Sequence, residues 1–210
     1  MHKESADELL GLGLQQLDMP LTEEQANKFL VYLEELKKWN RAYNLTAIKS
    51  DADIVIKHFL DSLLFLKVLP ADVKAIADIG SGAGFPGLPM KIMRNDLEVT
   101  LVEPVQKKAL FLEHMKRTLR LEGLDIRNQR IEDLRDIKVD AAVTRALFSI
   151  KEFVAKAGGL LHGPKVLILS KGPKLENELD GVFSSAVQTI PISLPFQNVT
   201  RHLVVIRVRP

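Results

Sequence analysis

The chain has 210 residues, 46% hydrophobic and 27% charged, with a formal net charge of +2, which is ordinary for one large globular domain with a real core. Cysteine is absent, which excludes disulfides, thiolate metal sites and a cysteine nucleophile. No apolar run approaches the roughly 18 residues of a membrane span, and the amino terminus has no signal-peptide pattern. The expectation is a cytoplasmic enzyme with no membrane association, no metal and no obligatory protein partner. The charge is uneven: residues 1–73 hold 8 Lys/Arg against 12 Asp/Glu, whereas residues 74–210 hold 21 against 15. A basic second half is compatible with a polyanionic partner without identifying one.

Leu9, Leu10, Leu14 and Leu17 give residues 1–20 a helical pattern that stops at Pro20. Thr22 is placed to cap a second helix, with Glu23 and Glu24 in its first turn and Ala26, Phe29, Leu30, Leu33 and Leu36 as its apolar stripe. Trp39 and Tyr43 extend that stripe and read as core rather than as a base-stacking platform. Ser50 or Asp51 would cap a third helix, about residues 52–68, with Ile56, Phe59, Leu60, Leu63 and Leu64 facing inward. His58, Asp61 and Ser62 then share the other side. Such a polar trio is usually solvated; it faces the centre of the molecule only if this helix folds over the sheet.

From residue 74 the rhythm becomes strand, helix, strand, the mark of a parallel sheet. Lys74 to Ile79 reads as a buried strand, Gly80, Ser81, Gly82, Ala83 and Gly84 as a tight turn, and Leu88 to Arg94 as the start of a helix. Strand, glycine turn and helix make the ligand-binding corner of an open α/β sheet. Gly82-x-Gly84-x-x-Gly87 formally satisfies the dinucleotide fingerprint. Asp78, two residues before the first glycine, argues for another ligand, because a carboxylate there repels a pyrophosphate and favours a cationic group such as the ammonium of S-adenosylmethionine (SAM). The alternative is that Asp78 only bonds loop amides. Leu97 to Val102 forms the next strand and ends at Glu103, placed to accept from ribose hydroxyls.

Pro104 opens a helix with Val105, Ala109, Leu112, Met115 and Leu119 buried, and Gly123 ends it. Further strands are expected over Leu124–Arg130, Val139–Thr144, Lys165–Leu169, Ala186–Ile190 and Leu203–Val208. Ile131 and Glu132 follow the first of these, Arg145 the second, and Ser170, Lys171 and Gly172 the third. All lie at the sheet edge where a ligand would sit.

WNRAYNLTAI (39–48), HFLDSL (58–63), DIGSGAGFPGLP (78–89), RIED (130–133), TRA (144–146), LSKG (169–172) and RHLVVIR (201–207) together resemble the bacterial RsmG (GidB) family over nearly the whole chain. That family comprises SAM-dependent guanine-N(7) methyltransferases of small-subunit ribosomal RNA. The resemblance implies an α/β, Rossmann-like class I SAM-methyltransferase fold. Its seven-stranded, mostly parallel sheet has an antiparallel last strand, and a helical extension over residues 1–70 precedes a SAM-binding domain over residues 71–210. It implies that Gly80, Phe85, Ile131, Glu132 and Arg145 line the cofactor pocket, with Glu103 fitting the ribose-binding acid; Asp78, Gly82 and Gly84 join this site from the reading of the turn, and Arg145 is also the catalytic candidate. His58 and Lys171 would meet the substrate, and the partner would be small-subunit (16S) ribosomal RNA or the ribosomal subunit.

Two other functions fit parts of the chain. The fingerprint at 82–87 allows an NAD(P)-dependent oxidoreductase, but Tyr32 and Tyr43 are the only tyrosines and neither has a lysine four residues on. A non-catalytic RNA-binding module is the other. Arg145 itself has a purely structural alternative, an ion pair with Asp140 or Glu132.

Overall fold

A computed structural model describes residues 4–135, 137–145, 147–172 and 187–208. Helices α1 (Ala6–Gln16) and α2 (Glu23–Tyr43) open the chain. Each starts with a reciprocal capping box, Ser5 with Glu8 and Thr22 with Gln25, so two amide donors that a helix start leaves orphaned are satisfied. Asn44 ends α2 in the left-handed conformation at φ 49°. The expected third helix is a series of short turns. Ser50 caps α3 (Asp51–Ile54), a π turn follows over Val55–Leu60, then α4 (Asp61–Leu63) and a 3₁₀ turn over Leu64–Lys67.

The sheet has seven strands: β1 (Ala75–Ile79), β2 (Glu98–Val102), β3 (Leu124–Arg127), β4 (Val139–Arg145), β5 (Leu161–Lys171), β6 (Val187–Ser193) and β7 (Thr200–Val208). Their order is β3-β2-β1-β4-β5-β7-β6. The first five pair in parallel, and β7 runs antiparallel to both β5 and β6. The expected mostly parallel sheet with an antiparallel final strand is therefore present. The third strand stops at Arg127, earlier than expected, and the fifth extends at both ends. Ala146 and Ala186, which the sequence reading includes, lie outside the described residues.

Helices α5 (Gly87–Met93) and α6 (Gln106–Thr118) follow β1 and β2. Alternation along the strands sorts the core. Ile76, Val99, Leu101, Val143 and Ile168 belong to one cluster with Phe29, Tyr32 and Phe59 from the amino-terminal helices and Phe111 from α6. Ala77, Ile79, Val102, Ala142 and Leu167 belong to the other, with Phe153 of α7 (Ile150–Ala157). Helix α7 is absent from the sequence reading, although Ser149 and Glu152 form a capping box at its start. Because α1, α2 and the 51–67 turns share a face with α5 and α6, the amino-terminal third reaches the carboxyl ends of the strands from above. No described helix is long and apolar enough to cross a membrane.

Candidate active site

The turn after β1 is held by its neighbour strand. The Gly80 and Ser81 amides both donate to the Val102 carbonyl, at 2.9 and 3.1 Å, which fixes the turn beside Glu103. Gly84 has φ +105°, and a Cβ there would meet the Leu88 side chain and the Tyr32 hydroxyl at 2.5 and 2.7 Å. Gly82 differs: its φ is +61°, and a Cβ would find nothing within 4 Å. The turn is thus packed on its Gly84 side and open on its Gly82 side. Leu147, an exposed leucine, lies over Gly80.

Two buried acids flank the turn. Asp78 is fully buried, and its Oδ2 accepts the Gly87 amide at 2.7 Å at the start of α5. Its Oδ1 is buried with no partner, as is the Ser81 hydroxyl. Burial pushes the Asp78 carboxyl up to about 7, against a smaller opposing effect of the Gly87 bond. Glu103 spans the other side, its two oxygens accepting the Gly82 amide at 2.8 Å and the Val105 amide at 2.9 Å. An ionised carboxylate has capacity for further donors.

Phe85 leads from the turn to a polar group the sequence reading left undecided. The His58 ring stacks on Phe85 with centroids 4.3 Å apart, and the Arg145 guanidinium sits over the same ring at 5.2 Å. His58, Asp61 and Ser62 are all buried, so their expected solvated face is instead the inner one. The physical reason is that the segment is covered on both sides: Ile56, Phe59, Leu60, Leu63 and Leu64 are buried as well, and His58 and Asp61 meet Arg145 and Arg201 of the sheet. Arg145 donates to His58 Nδ1 at 3.0 Å, and His58 Nε2 meets the Thr46 hydroxyl at 2.8 Å. With Nδ1 accepting, the ring proton sits on Nε2. Burial, and next the Arg145 charge, lower the His58 pKa to about 3, so the ring is neutral near pH 7.

Arg145 also donates to the Lys57 carbonyl at 3.0 Å and to Asp61 Oδ2 at 3.2 Å. Arg201 of β7 takes the other Asp61 oxygen at 2.5 Å. The ion-pair alternatives from sequence are thereby replaced: Asp140 accepts the Lys74 and Ala75 amides, and Glu132 pairs with Lys156 of α7. Lys171 donates to the Phe148 carbonyl. A cleft of about 330 Å³ opens among Lys57, His58, Arg145, Lys171 and Arg201.

The structure brings Asp78, Gly80, Gly82, Gly84, Phe85, Glu103, His58 and Arg145 to one edge of the sheet. Ile131 packs in the adjacent core with Ile79 and Val102, while the Glu132 side chain is exposed on its pair with Lys156. Sequence reasoning missed Asp61 as the shared partner of two arginines, the role of Arg201 as one of them, and the Tyr32 hydroxyl, which donates to the Ala83 carbonyl at 2.6 Å. The i,i+3 spacing of His58 and Asp61 was a signal for the first; nothing local signals the other two.

The family model described as GidB, rRNA small subunit methyltransferase G, matches residues 25–204. The chain belongs to this family. It is 37% identical to a ribosomal RNA small subunit methyltransferase G of Geotalea uraniireducens, covering 96% of each chain. It is 39% identical to the protein of that name in Azoarcus sp., covering 96% of this chain and 93% of the relative. Among solved structures, the T. thermophilus 16S rRNA methyltransferase RsmC, in complex with AdoMet and guanosine, is similar at a TM-score of 0.55 and 22% identity, covering 78% of this chain and 45% of that one. TehB from Haemophilus influenzae is similar at a TM-score of 0.53 and 14% identity, covering 83% and 67%. These two likenesses concern the fold.

Proposed function

We propose that this protein transfers the methyl group of SAM to the N7 atom of a guanine in small-subunit (16S) ribosomal RNA, as a cytoplasmic enzyme. The observation that carries the reading is the Gly82 turn, open where a side chain would stand and bracketed by Asp78 and Glu103. A cationic group can meet the unpartnered Asp78 Oδ1, a ribose can donate to Glu103, and the missing Cβ at Gly82 leaves room for the body of the ligand. The residues fit SAM better than a dinucleotide, because a carboxylate at Asp78 would repel a pyrophosphate; Glu103 suits the ribose of either. The family supports the ribosomal substrate, and N7 as the acceptor rests on the family resemblance.

SAM supplies an electrophilic methyl on a sulfonium. The protein's part is positional. Guanine N7 carries an in-plane lone pair, so the acceptor needs no deprotonation, and alignment with charge stabilisation is sufficient. The cleft beside the turn has room for a single base taken out of its stack. Arg145 lines that cleft and sits over Phe85 of the turn, between the two spaces. Asp61, His58 and the Lys57 carbonyl fix its guanidinium over Phe85, so it presents charge in one orientation. Asp61 acts through Arg145 and Arg201 and is a positioning residue.

The test is methyl transfer from labelled SAM to purified small subunits, followed by nucleoside analysis. Labelled 7-methylguanosine is the expected product. SAM binding with unlabelled subunits, or label on another atom, overturns the reading.

A further inference from the structure

A second cavity, of about 250 Å³, lies at the carboxyl end of α2. Leu36 and Ile54 close its floor from within the core, and the partly exposed Ile48 is its apolar wall; Ile48 also lines the acceptor cleft, so the two spaces adjoin across one side chain. The volume is below the roughly 300–1,000 Å³ of sites that hold whole small-molecule ligands. One base fits; a second cofactor does not.

The rim is cationic in a part of the chain that is acidic overall. Of the 8 Lys/Arg in residues 1–73, Lys37, Arg41, Lys49 and Lys57 border one or the other of these two spaces. Lys37 is neutralised by Asp51 and Glu34, at 2.9 and 3.1 Å. Arg41 and Lys49 are different: both are exposed, and among the described residues neither side chain has a hydrogen bond or ion pair. Asn44, which ends α2, also has an unpartnered side chain, and Asn40 uses only its Oδ1, on the Thr46 amide at 2.9 Å. The cavity therefore offers an apolar wall, two free cations and two amides with spare donors and acceptors. That set matches one nucleotide of a single strand: a π face, a phosphate and a base edge.

We infer that this cavity binds a nucleotide flanking the methylated base, holding its base against Ile48 with Asn40 and Asn44 at its edge, and its phosphate on Arg41 and Lys49. The inference rests on the ribosomal RNA reading above. The strand then passes over Ile48, with one base in the acceptor cleft and a neighbour in the second cavity. The Asn44–Lys49 loop forms the ridge between them. It is tied to the reacting edge by Thr46, which meets His58.

The test compares wild type with Arg41→Ala/Lys49→Ala on small subunits at several salt concentrations, with SAM affinity measured separately by calorimetry. Neither side chain has a partner to lose, so the double variant folds, as circular dichroism checks. Lys116→Ala/Arg117→Ala is the control for net charge; these lie in the last turn of α6, which precedes the amino end of β3 at the far edge of the sheet. The expected result is a KM for subunits raised about tenfold, a log–log salt dependence shallower by about one to two, and unchanged kcat and SAM affinity in the cavity variant alone. An unchanged KM in that variant, or the same change in the control, overturns the cavity while leaving methyl transfer intact. Wild-type protein that binds SAM but does not label subunits overturns the underlying reading instead.

Discussion

Replacing Asp78 with asparagine removes the one fully buried carboxylate of the glycine turn and keeps an oxygen for the Gly87 amide. In the wild type the folded protein holds the Asp78 proton to about pH 7, whereas the ordinary value is 3.8. The folded state therefore binds more protons than the unfolded chain between those values, and stability falls across that window as pH rises. The Asp78 contribution is complete below about pH 4 and lost by about pH 7. The difference between 3.8 and about 7 corresponds to roughly 4 kcal/mol at 1.36 kcal/mol per pH unit. That is a large share of the 5–15 kcal/mol that typically holds a domain folded. Urea unfolding without ligand, from pH 4 to pH 8, should show this decline in the wild type and a flatter profile in Asp78→Asn. A ligand ammonium at Oδ1 selects the ionised form, so SAM affinity in the wild type should rise up to tenfold per pH unit from pH 5 to 7. Asp78→Asn should bind SAM weakly with little pH dependence. Parallel stability profiles for the two proteins, or equal SAM affinities, would refute the assignment of this carboxylate to a cationic ligand.

The turn glycines should separate folding from binding. Gly82→Ala has open space and costs only the left-handed backbone, about 1–2 kcal/mol, so it should fold normally by thermal melting and lose SAM affinity by calorimetry. Gly84→Ala adds overlap with Leu88 and Tyr32, which brings the loss to about 3 kcal/mol of stability. Asp61→Ala leaves Arg145 and Arg201 facing each other without their shared carboxylate. It should cost about 3 kcal/mol in denaturant unfolding, the low end for breaking a buried pair because both guanidiniums keep some water. Its kcat should fall with little change in SAM affinity, and Asp61→Asn should recover part of the rate.

The parallel half of the fold is legible because each level of the sequence agrees. Apolar runs such as Leu97–Val102, a glycine turn and helical runs alternate, and the strand ends carry the acids and Arg145. Where the reading failed, the decisive contact was distant in sequence or a polar face was covered. Periodicity over 52–68 separates an apolar from a polar side but does not show that the polar side is covered too: Ile56, Phe59 and Leu60 are buried along with His58 and Asp61. Arg201 reaches Asp61 across 140 positions, and no local pattern encodes that pairing. Helix α7 was recoverable, since Ser149 and Glu152 three residues apart before Phe153 form an ordinary capping signal.

The same geometry bears on how the reaction proceeds. Two side chains at the reacting edge have pKa values moved from the ordinary range, His58 and Asp78. His58 already has both ring nitrogens engaged, by Arg145 and Thr46, and its pKa of about 3 leaves it too weak a base to accept a proton at neutral pH. Asp78 is fully buried behind the turn and bonded to Gly87, and in the binding mode proposed above it would meet the ligand's cationic end rather than an acceptor. Neither serves as a general base. This agrees with an acceptor atom that brings its own lone pair, and it predicts a specific kinetic signature. At saturating SAM and subunits, kcat should be flat between pH 6 and 8, while kcat/KM for SAM should rise through the Asp78 ionisation. A kcat that climbs tenfold per pH unit would require a titrating base at the acceptor and would exclude a purely positional role for Arg145.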